Sequence, residues 1–327
     1  MNLAGHLNTV SERLRVFFSP VPEPPARPWS LTVEDPDLGP VLLTGRLSEL
    51  DSSSLVVILH GLGGCSESHY ARRAAQQILA SGVACLRLNL RGSDRLGEDF
   101  YHAGLTTDLH QVLASRELAF YDQIYVLGFS LGGHVALRAA TEASDERWRS
   151  VAAVCAPLDL APCARLLDRP SAIVYRTYLL NGLKDIYGAV ATRRPVPLEL
   201  AEARRIRSLR EWDDRVVAPR HGFANGADYY ARASVGPRLG GLRRQALLVL
   251  AEDDPMVPVA ALDERLAAAP AALKVRRLAS GGHLGFPRSA DLGWPGEGFA
   301  AQLLGWLQRS ASEAAPQVVA TPPEVGS

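Results

Sequence analysis

Short apolar runs alternate with helix-forming segments along most of this 327-residue chain. The clearest runs lie at 55–59, 124–128, 151–155 and 246–251. They lack the apolar–polar alternation of a strand with one wet face, so they are typical of strands buried on both faces of a parallel sheet. Helices then cover both faces of the sheet, and ligand sites form at the carboxyl ends of its strands. The pattern therefore predicts an α/β fold.

Two regions depart from this alternation. Short β-prone runs at 31–33 and 41–44, separated by a turn-like segment, predict a hairpin at one sheet edge. Between 158 and 242 the alternation stops, and helix-prone segments rich in aromatic residues follow. We interpret this stretch as a helical cap inserted after the sixth strand of an eight-stranded, mostly parallel sheet. Its aromatic residues are explained equally well by an apolar acyl pocket and by packing against the sheet.

The predicted division of the chain follows from these features. It is a proline-rich N-terminal arm at 1–30, a first core part at 31–157, the cap at 158–242, a second core part at 243–309 and a polar, disordered tail at 310–327.

Composition narrows the possible partners. The 35 Lys and Arg residues balance 35 Asp and Glu residues, so no nucleic-acid partner is expected. The four cysteines form no C-x-x-C pair, and we expect neither a metal nor a cofactor. No apolar run approaches the roughly 18 residues that a membrane span needs, and the N-terminus does not resemble a signal peptide. A cytoplasmic protein without stable membrane insertion is expected.

The segment from Gly128 to Gly132 fits G-x-S-x-G, with Ser130 at its centre. An apolar strand precedes it and a helix-forming run follows, as in a nucleophile elbow, where a strained turn exposes the serine hydroxyl. Glycines at both ends allow strand and helix to approach closely. Alone, the motif is also compatible with a structural serine in a glycine-rich turn.

Two later loops supply partners for the serine. Ser130 follows the fifth predicted strand, the acids 252–254 follow the seventh, and His283 follows the eighth. Serine, acid, histidine is the chain order of α/β-hydrolases, in which imidazole takes the serine proton and a carboxylate orients the imidazole. We choose Asp254 over Asp253 because a proline follows it.

His283 is favoured over His102 and His134 as the base, because those two precede or lie within helices. For the oxyanion hole we choose the backbone N–H groups of Leu131 and of Leu62 in the loop 60–64. A glycine-rich loop can also bind phosphate. This loop lacks the Gly-Lys-Ser/Thr ending of a P-loop and the third glycine of a dinucleotide-binding motif, so nucleotide binding is disfavoured.

The chain resembles the YheT-like branch of the α/β-hydrolases, which is similar to abhydrolase-domain lipases and to medium-chain acyltransferases. The resemblance covers roughly residues 30 to 310. It is carried by the segments 60–64, 90–92, 101–104, 128–133, 212–214, 218–223, 228–230, 253–255 and 281–286.

This resemblance implies a serine hydrolase that cleaves carboxylic esters of short- to medium-chain acyl groups or of lipids. The acyl-enzyme would form on Ser130, with Asp254 and His283 completing the triad. The family also marks Arg91, Tyr101, His102 and Asp214 as recurrent positions, for which structural roles are favoured.

Three alternatives stay open. The same acyl-enzyme could pass its acyl group to an alcohol, as an acyltransferase does. The chain could also be an inactive α/β-hydrolase that serves as a binding module. The arginines within 204–210 could face anionic lipid, although a solvated helix face interspersed with acids is the simpler interpretation. The oligomeric state is not predicted.

Overall fold

The computed structural model describes residues 5–9, 20–287 and 289–313. Within these residues an eight-stranded sheet has the order β1-β2-β4-β3-β5-β6-β7-β8. Strands β1 and β2 pair antiparallel with their neighbours, and the other six run parallel. The strands are β1 Arg27–Asp35, β2 Gly39–Ser48, β3 Ser54–Leu59, β4 Ala84–Leu88, β5 Gln123–Phe129, β6 Trp148–Val154, β7 Gln245–Ala251 and β8 Leu273–Leu278. The predicted fold class is confirmed, as is the hairpin at one edge.

Helices connect the strands and cover both faces of the sheet. They are α1 His69–Ala80, α2 Thr107–Leu113, α3 Leu131–Ala140, α4 Leu160–Leu167, α5 Ile173–Ala191, α6 Leu200–Arg205, α7 Leu209–Trp212, α8 Ala218–Arg220, α9 Gly226–Ala233, α10 Asp263–Ala267 and α11 Phe299–Glu313. A π-helical turn, Asp213–Val217, joins α7 to α8. Helices α4 to α9 lie between β6 and β7, in the segment that we interpret as a cap.

Strand β3 shows why the apolar runs are continuous. Leu55, Val57 and Leu59 belong to the core cluster that includes residues of α2, α3 and the helices between β6 and β7. Val56 and Ile58 point to the opposite face, into a cluster with residues of α1 and α11. All five side chains are buried. An apolar residue is therefore needed at every position, and the carboxyl end of the strand is held at a fixed place in the sheet.

The arm that we predicted at 1–30 ends earlier than expected, because β1 begins at Arg27. Pro28 fits this strand since β1 is at the edge of the sheet, where one side needs no ladder hydrogen bonds. Trp29 is buried in the core and anchors the strand. Residues 1–4 and 10–19 of the predicted arm lie outside the described residues.

The predicted start of the tail, at residue 310, is also wrong, because α11 continues to Glu313. Ser310 and Ala311 are buried, and the Ser310 hydroxyl donates to the Leu307 carbonyl at 3.1 Å. Polar composition alone suggested a tail, whereas these small residues continue the packed face of the helix. Residues 314–327 lie outside the described part of the chain. Of the helices in the described part, none combines the length and apolar character that a bilayer crossing requires.

Candidate active site

Ser130 lies between β5 and α3 with backbone angles φ 53° and ψ −119°. A non-glycine residue rarely adopts this region, and such strain is typical of functional sites. The flanking glycines make the turn possible. A Cβ on Gly128 would collide with the carbonyl oxygen of Gly132, and a Cβ on Gly132 would lie 2.5 Å from the carbonyl oxygens of Leu59 and His60. The predicted elbow geometry is present.

Hydrogen bonds join the three residues that we predicted as a triad. The Ser130 Oγ lies 2.9 Å from Nε2 of His283. On the other side of the ring, Nδ1 lies 2.9 Å from Oδ2 and 3.1 Å from Oδ1 of Asp254. A carboxylate can only accept, so Nδ1 carries the proton and Nε2 is free to accept the serine proton. The His283 and Asp254 side chains are only 8% and 1% exposed.

The loop after β7 holds the Asp254 carboxylate in place. Its Oδ1 accepts hydrogen bonds from the backbone N–H groups of Met256 at 2.8 Å and Val257 at 3.0 Å. Pro255 lies between the acid and these two residues. Asp254, and not the neighbouring Asp253, is therefore the acid whose carboxylate faces His283.

Two neighbours of the histidine were not anticipated from the sequence. Thr9, in the helical stretch 5–9, accepts a hydrogen bond from the backbone N–H of His283 at 2.8 Å through its hydroxyl oxygen. Cys155 follows β6 with a strained φ of 51° and is fully buried. Neither residue belongs to a recognisable motif, and Thr9 is 274 positions away in sequence.

One possible metal-ligand atom from each of Cys155, Asp254 and His283 lies within 4.8 Å of the other two. Burial, followed by the charge of Asp254, raises the pKa of the Cys155 thiol well above its ordinary value. The thiolate that a metal requires is thus disfavoured. The Nδ1 atom of His283 is already engaged by Asp254. The donor set therefore fits a hydrogen-bonded network better than a metal.

The loop 60–64 offers a backbone donor beside the serine. Its Gly61 and Gly63 N–H groups donate to the hydroxyl oxygens of Tyr70 and Tyr101, each at 2.8 Å. Among the described residues, the N–H of Leu62 between them has no acceptor. The N–H of Leu131 has none in the same part of the chain, since Leu131 is the first residue of α3. Both leucines line the cavity that holds Ser130.

The side chain of His60 holds the beginning of the same loop through hydrogen bonds. Its Nδ1 donates to the Gly61 carbonyl at 2.8 Å, and its Nε2 accepts from the Leu90 N–H at 3.1 Å. The Ser93 hydroxyl lies 2.9 Å from the same Nε2. Burial lowers the pKa of His60 to about 4, so the ring stays neutral and keeps these roles at physiological pH.

The recurrent motif residues have contacts typical of structural roles. Arg91 is buried and meets carboxylate oxygens of Asp35 at 2.6 Å, Asp108 at 2.5 Å and Asp99 at 3.4 Å. Its carbonyl accepts from the N–H of Tyr101, the residue whose hydroxyl holds Gly63. This ion-pair cluster therefore supports the loop 60–64 indirectly.

The competing histidines are engaged elsewhere. The ring nitrogens of His134 lie 2.8 Å and 3.0 Å from the backbone carbonyls of Pro157 and Ala233. The Nδ1 of His102 accepts from the N–H of Gly104 at 3.1 Å. His102 also lines the cavity, and burial lowers its pKa well below the ordinary value.

A cavity of about 240 Å³ opens onto Ser130 and His283. Most of its wall is apolar, with side chains from the segment between β6 and β7 that include Leu160, Leu167, Leu179 and Trp212. An exception is Asp213, in the π-helical turn, which accepts a hydrogen bond from the Tyr230 hydroxyl at 2.6 Å. The family resemblance marks the neighbouring Asp214, which lies outside the cavity wall and pairs with Arg210 at 2.6 Å.

Comparisons with known proteins identify the family of the chain. The chain is 29% identical to the "Putative esterase YheT" of Escherichia coli, over 86% of this chain and 84% of that protein. It is 27% identical to the "Monoacylglycerol lipase" of Saccharomyces cerevisiae, over 74% of this chain but only 56% of the yeast protein.

A solved structure has the same fold. The α/β hydrolase GrgF from Penicillium sp. sh18 superposes with a TM-score of 0.56, covering 88% of this chain and 99% of that one at 16% identity. The profile of the family described as "alpha/beta hydrolase fold" matches residues 54–289, which include Ser130, Asp254 and His283. The chain therefore belongs to the α/β-hydrolase family, and its sequence is similar to that of the YheT esterase.

Proposed function

We propose that this protein is a serine hydrolase that cleaves carboxylic esters, of short- to medium-chain acyl groups or of lipids, through an acyl-enzyme on Ser130. The observation that carries the proposal is the unbroken hydrogen-bond path from Ser130 through His283 to Asp254, at the wall of an apolar cavity. The names of the similar proteins, an esterase and a lipase, support the same reaction class.

The reaction has two steps. Ser130 Oγ attacks the ester carbonyl while its proton passes to Nε2 of His283, which lies 2.9 Å away. The resulting imidazolium is stabilised by Asp254 and gives the proton to the departing alcohol. Water then attacks the acyl-enzyme, with His283 taking its proton and returning it to Ser130 Oγ as the acid leaves. The residues end in their starting protonation states.

The backbone N–H groups of Leu62 and Leu131 would stabilise the negative charge on the carbonyl oxygen in both steps. What supports this role is that neither group has an acceptor among the described residues, although each lies beside the cavity. Fixed donors of this kind are most effective where water is excluded. The tyrosines that hold Gly61 and Gly63 keep the loop in position without reorganisation.

The cavity limits the size of the substrate. Its volume of about 240 Å³ lies just below the range of roughly 300–1,000 Å³ that is usual for drug-sized ligands. This volume supports the proposal of an acyl chain of short to medium length. Turnover of a series of p-nitrophenyl esters should pass through a maximum at short or medium chain length.

The test compares Ser130→Ala with wild type on these esters. We expect turnover to fall by roughly 10⁴- to 10⁶-fold, as in other serine triads. Ser144→Ala is a matched control because Ser144 is an exposed serine outside the cavity, and its turnover should equal that of wild type. Near-normal turnover by Ser130→Ala would refute the proposal.

Transfer of the acyl group to an alcohol would use the same acyl-enzyme. Product analysis with and without added ethanol separates the two outcomes, because hydrolysis gives the free acid as its only acyl product. Formation of ethyl ester as the main product at low ethanol concentration would identify an acyltransferase.

A further inference from the structure

Asp213 occupies an unusual place for a carboxylic acid. It lies in the π-helical turn between α7 and α8 and lines the same cavity as Ser130. Among the described residues that line this cavity, it is the only carboxylic acid, and its neighbours on the wall include Leu209, Trp212 and Val217. Interruptions of this kind in a helix are frequent at functional sites.

The hydrogen bonds of Asp213 are incomplete. Its Oδ2 accepts from the Tyr230 hydroxyl at 2.6 Å. Its Oδ1 receives no hydrogen bond from any other residue in the described part of the chain. A half-buried carboxyl oxygen at a cavity wall costs free energy unless a donor meets it. If Asp213 served only to hold Tyr230, this second oxygen would be left to water in the cavity.

The charged side chains that the structure describes near Asp213 do not pair with its carboxyl group. The charge of Arg210 lowers the pKa of Asp213, but the Arg210 Nε is bound to Asp214 Oδ2 at 2.6 Å and its guanidinium lies over the Tyr230 ring. Asp168 and Asp214 add negative charge near Asp213. Burial is the main reason why the pKa of Asp213 is raised to about 7. With this pKa, both the neutral and the ionised carboxyl are present near neutral pH. A ligand that can pair with either form therefore fits this position best.

A hydroxyl group meets that requirement because it both donates and accepts hydrogen bonds. An ammonium group only donates, and bringing a charge into an otherwise apolar cavity is costly. We propose that Asp213 and Tyr230 form a subsite that binds a hydroxyl group of the substrate and so selects hydroxylated esters over purely aliphatic ones. The proposal rests on the proposed ester hydrolysis at Ser130, since the reacting carbonyl and the bound hydroxyl occupy one cavity.

The hydroxyl could belong to either part of the ester, and two pairs of substrates distinguish these sources. The acyl pair is p-nitrophenyl 8-hydroxyoctanoate and p-nitrophenyl nonanoate. The alcohol pair is the octanoate monoester of 1,3-propanediol and butyl octanoate. In each pair a hydroxyl replaces a methyl group of similar size, so the ratio of the two kcat/KM values isolates the effect of the hydroxyl.

We expect wild type to favour the hydroxylated member in one pair by about 10-fold or more, since sites built to bind a hydroxyl discriminate strongly against analogues that lack it. Asp213→Leu should abolish this preference. Asp213→Asn keeps an acceptor and should retain part of it, and Tyr230→Phe should weaken it, so the test does not depend on the folding of one variant. Asp214→Asn is the matched control and should keep the wild-type ratio, because Asp214 lies outside the cavity wall.

A wild-type ratio near one in both pairs, or a preference that persists in Asp213→Leu, would overturn the proposal. A stronger preference for p-nitrophenyl 8-aminooctanoate than for the hydroxy ester would also overturn it, in favour of a cation site. These outcomes are separate from failure of the proposed function, because both members of a pair need Ser130. Hydrolysis of both members by Ser130→Ala would indicate that failure instead.

Discussion

From the raised pKa of the half-buried Asp213 carboxyl we predict an unusual dependence of folding stability on pH. Burial raises its pKa from 3.8 to about 7, and the hydrogen bond from Tyr230 only partly opposes this effect. In the unfolded chain the same carboxyl is ionised above about pH 4. Between about pH 4 and pH 7 the unfolded state therefore releases a proton that the folded state keeps. Folding stability attributable to Asp213 must fall as the pH rises through this window.

The size of the effect follows from the pKa. A rise of the pKa from 3.8 to about 7 corresponds to a loss of at most about 4 kcal/mol between pH 4 and pH 7, at about 1.4 kcal/mol for each pH unit. An asparagine side chain at this position would have a similar shape but no ionisable proton. We therefore expect Asp213→Asn to match wild type near pH 4 and to become the more stable protein, by about 3 to 4 kcal/mol, at pH 8.

Guanidinium unfolding curves at half-unit intervals from pH 4 to pH 8 measure this difference directly. Asp214→Asn is the control, because burial raises the pKa of Asp214 less than the hydrogen bonds from Arg210 and from the Gly226 N–H, together with the charge of Arg210, lower it. Its carboxyl is thus ionised in both states across the window, and the difference from wild type should be constant. A constant difference for Asp213→Asn as well would show that burial does not hold this carboxyl neutral, and the reasoning would be wrong.

Two further substitutions test the proposed triad and its support. Asp254→Asn should lower ester turnover by about 10⁴-fold without unfolding the protein, because the amide no longer holds His283 in the tautomer that accepts from Ser130; turnover within 10-fold of wild type would contradict this role. Arg91→Met should reduce the free energy of unfolding by about 3–5 kcal/mol at pH 7, since it leaves the buried carboxylates around it uncompensated. The loss should shrink at pH 4, where those carboxyls take up protons, and equal losses at both pH values would refute the explanation.

The parts of the fold that could be predicted depend on residues that are close together in the sequence. A strand such as β3, buried on both faces, must be apolar at every position, so its sequence alone reveals it. The carboxyl ends of parallel strands meet at one edge of the sheet. Loops after β5, β7 and β8 could therefore be expected to bring Ser130, Asp254 and His283 together without knowledge of the intervening chain.

The features that sequence reasoning missed depend on packing between distant segments. Thr9 meets the backbone of His283 across 274 positions, and no local pattern specifies this contact. Asp213 and Asp214 are identical in type and adjacent in sequence, yet one lines the cavity and the other pairs with Arg210. Which of two neighbouring acids turns inward is decided by the π-helical turn, and a sequence pattern does not encode its register.

The central claim is that Ser130 is the nucleophile. A fluorophosphonate reacts with an activated serine by displacement of fluoride, and peptide mass spectrometry locates the phosphonylated residue. We predict one adduct per chain, on the peptide that contains Ser130, and no adduct in Ser130→Ala under the same conditions. Absence of the adduct in the folded wild type, or labelling of Ser130→Ala to the same extent, would contradict the account.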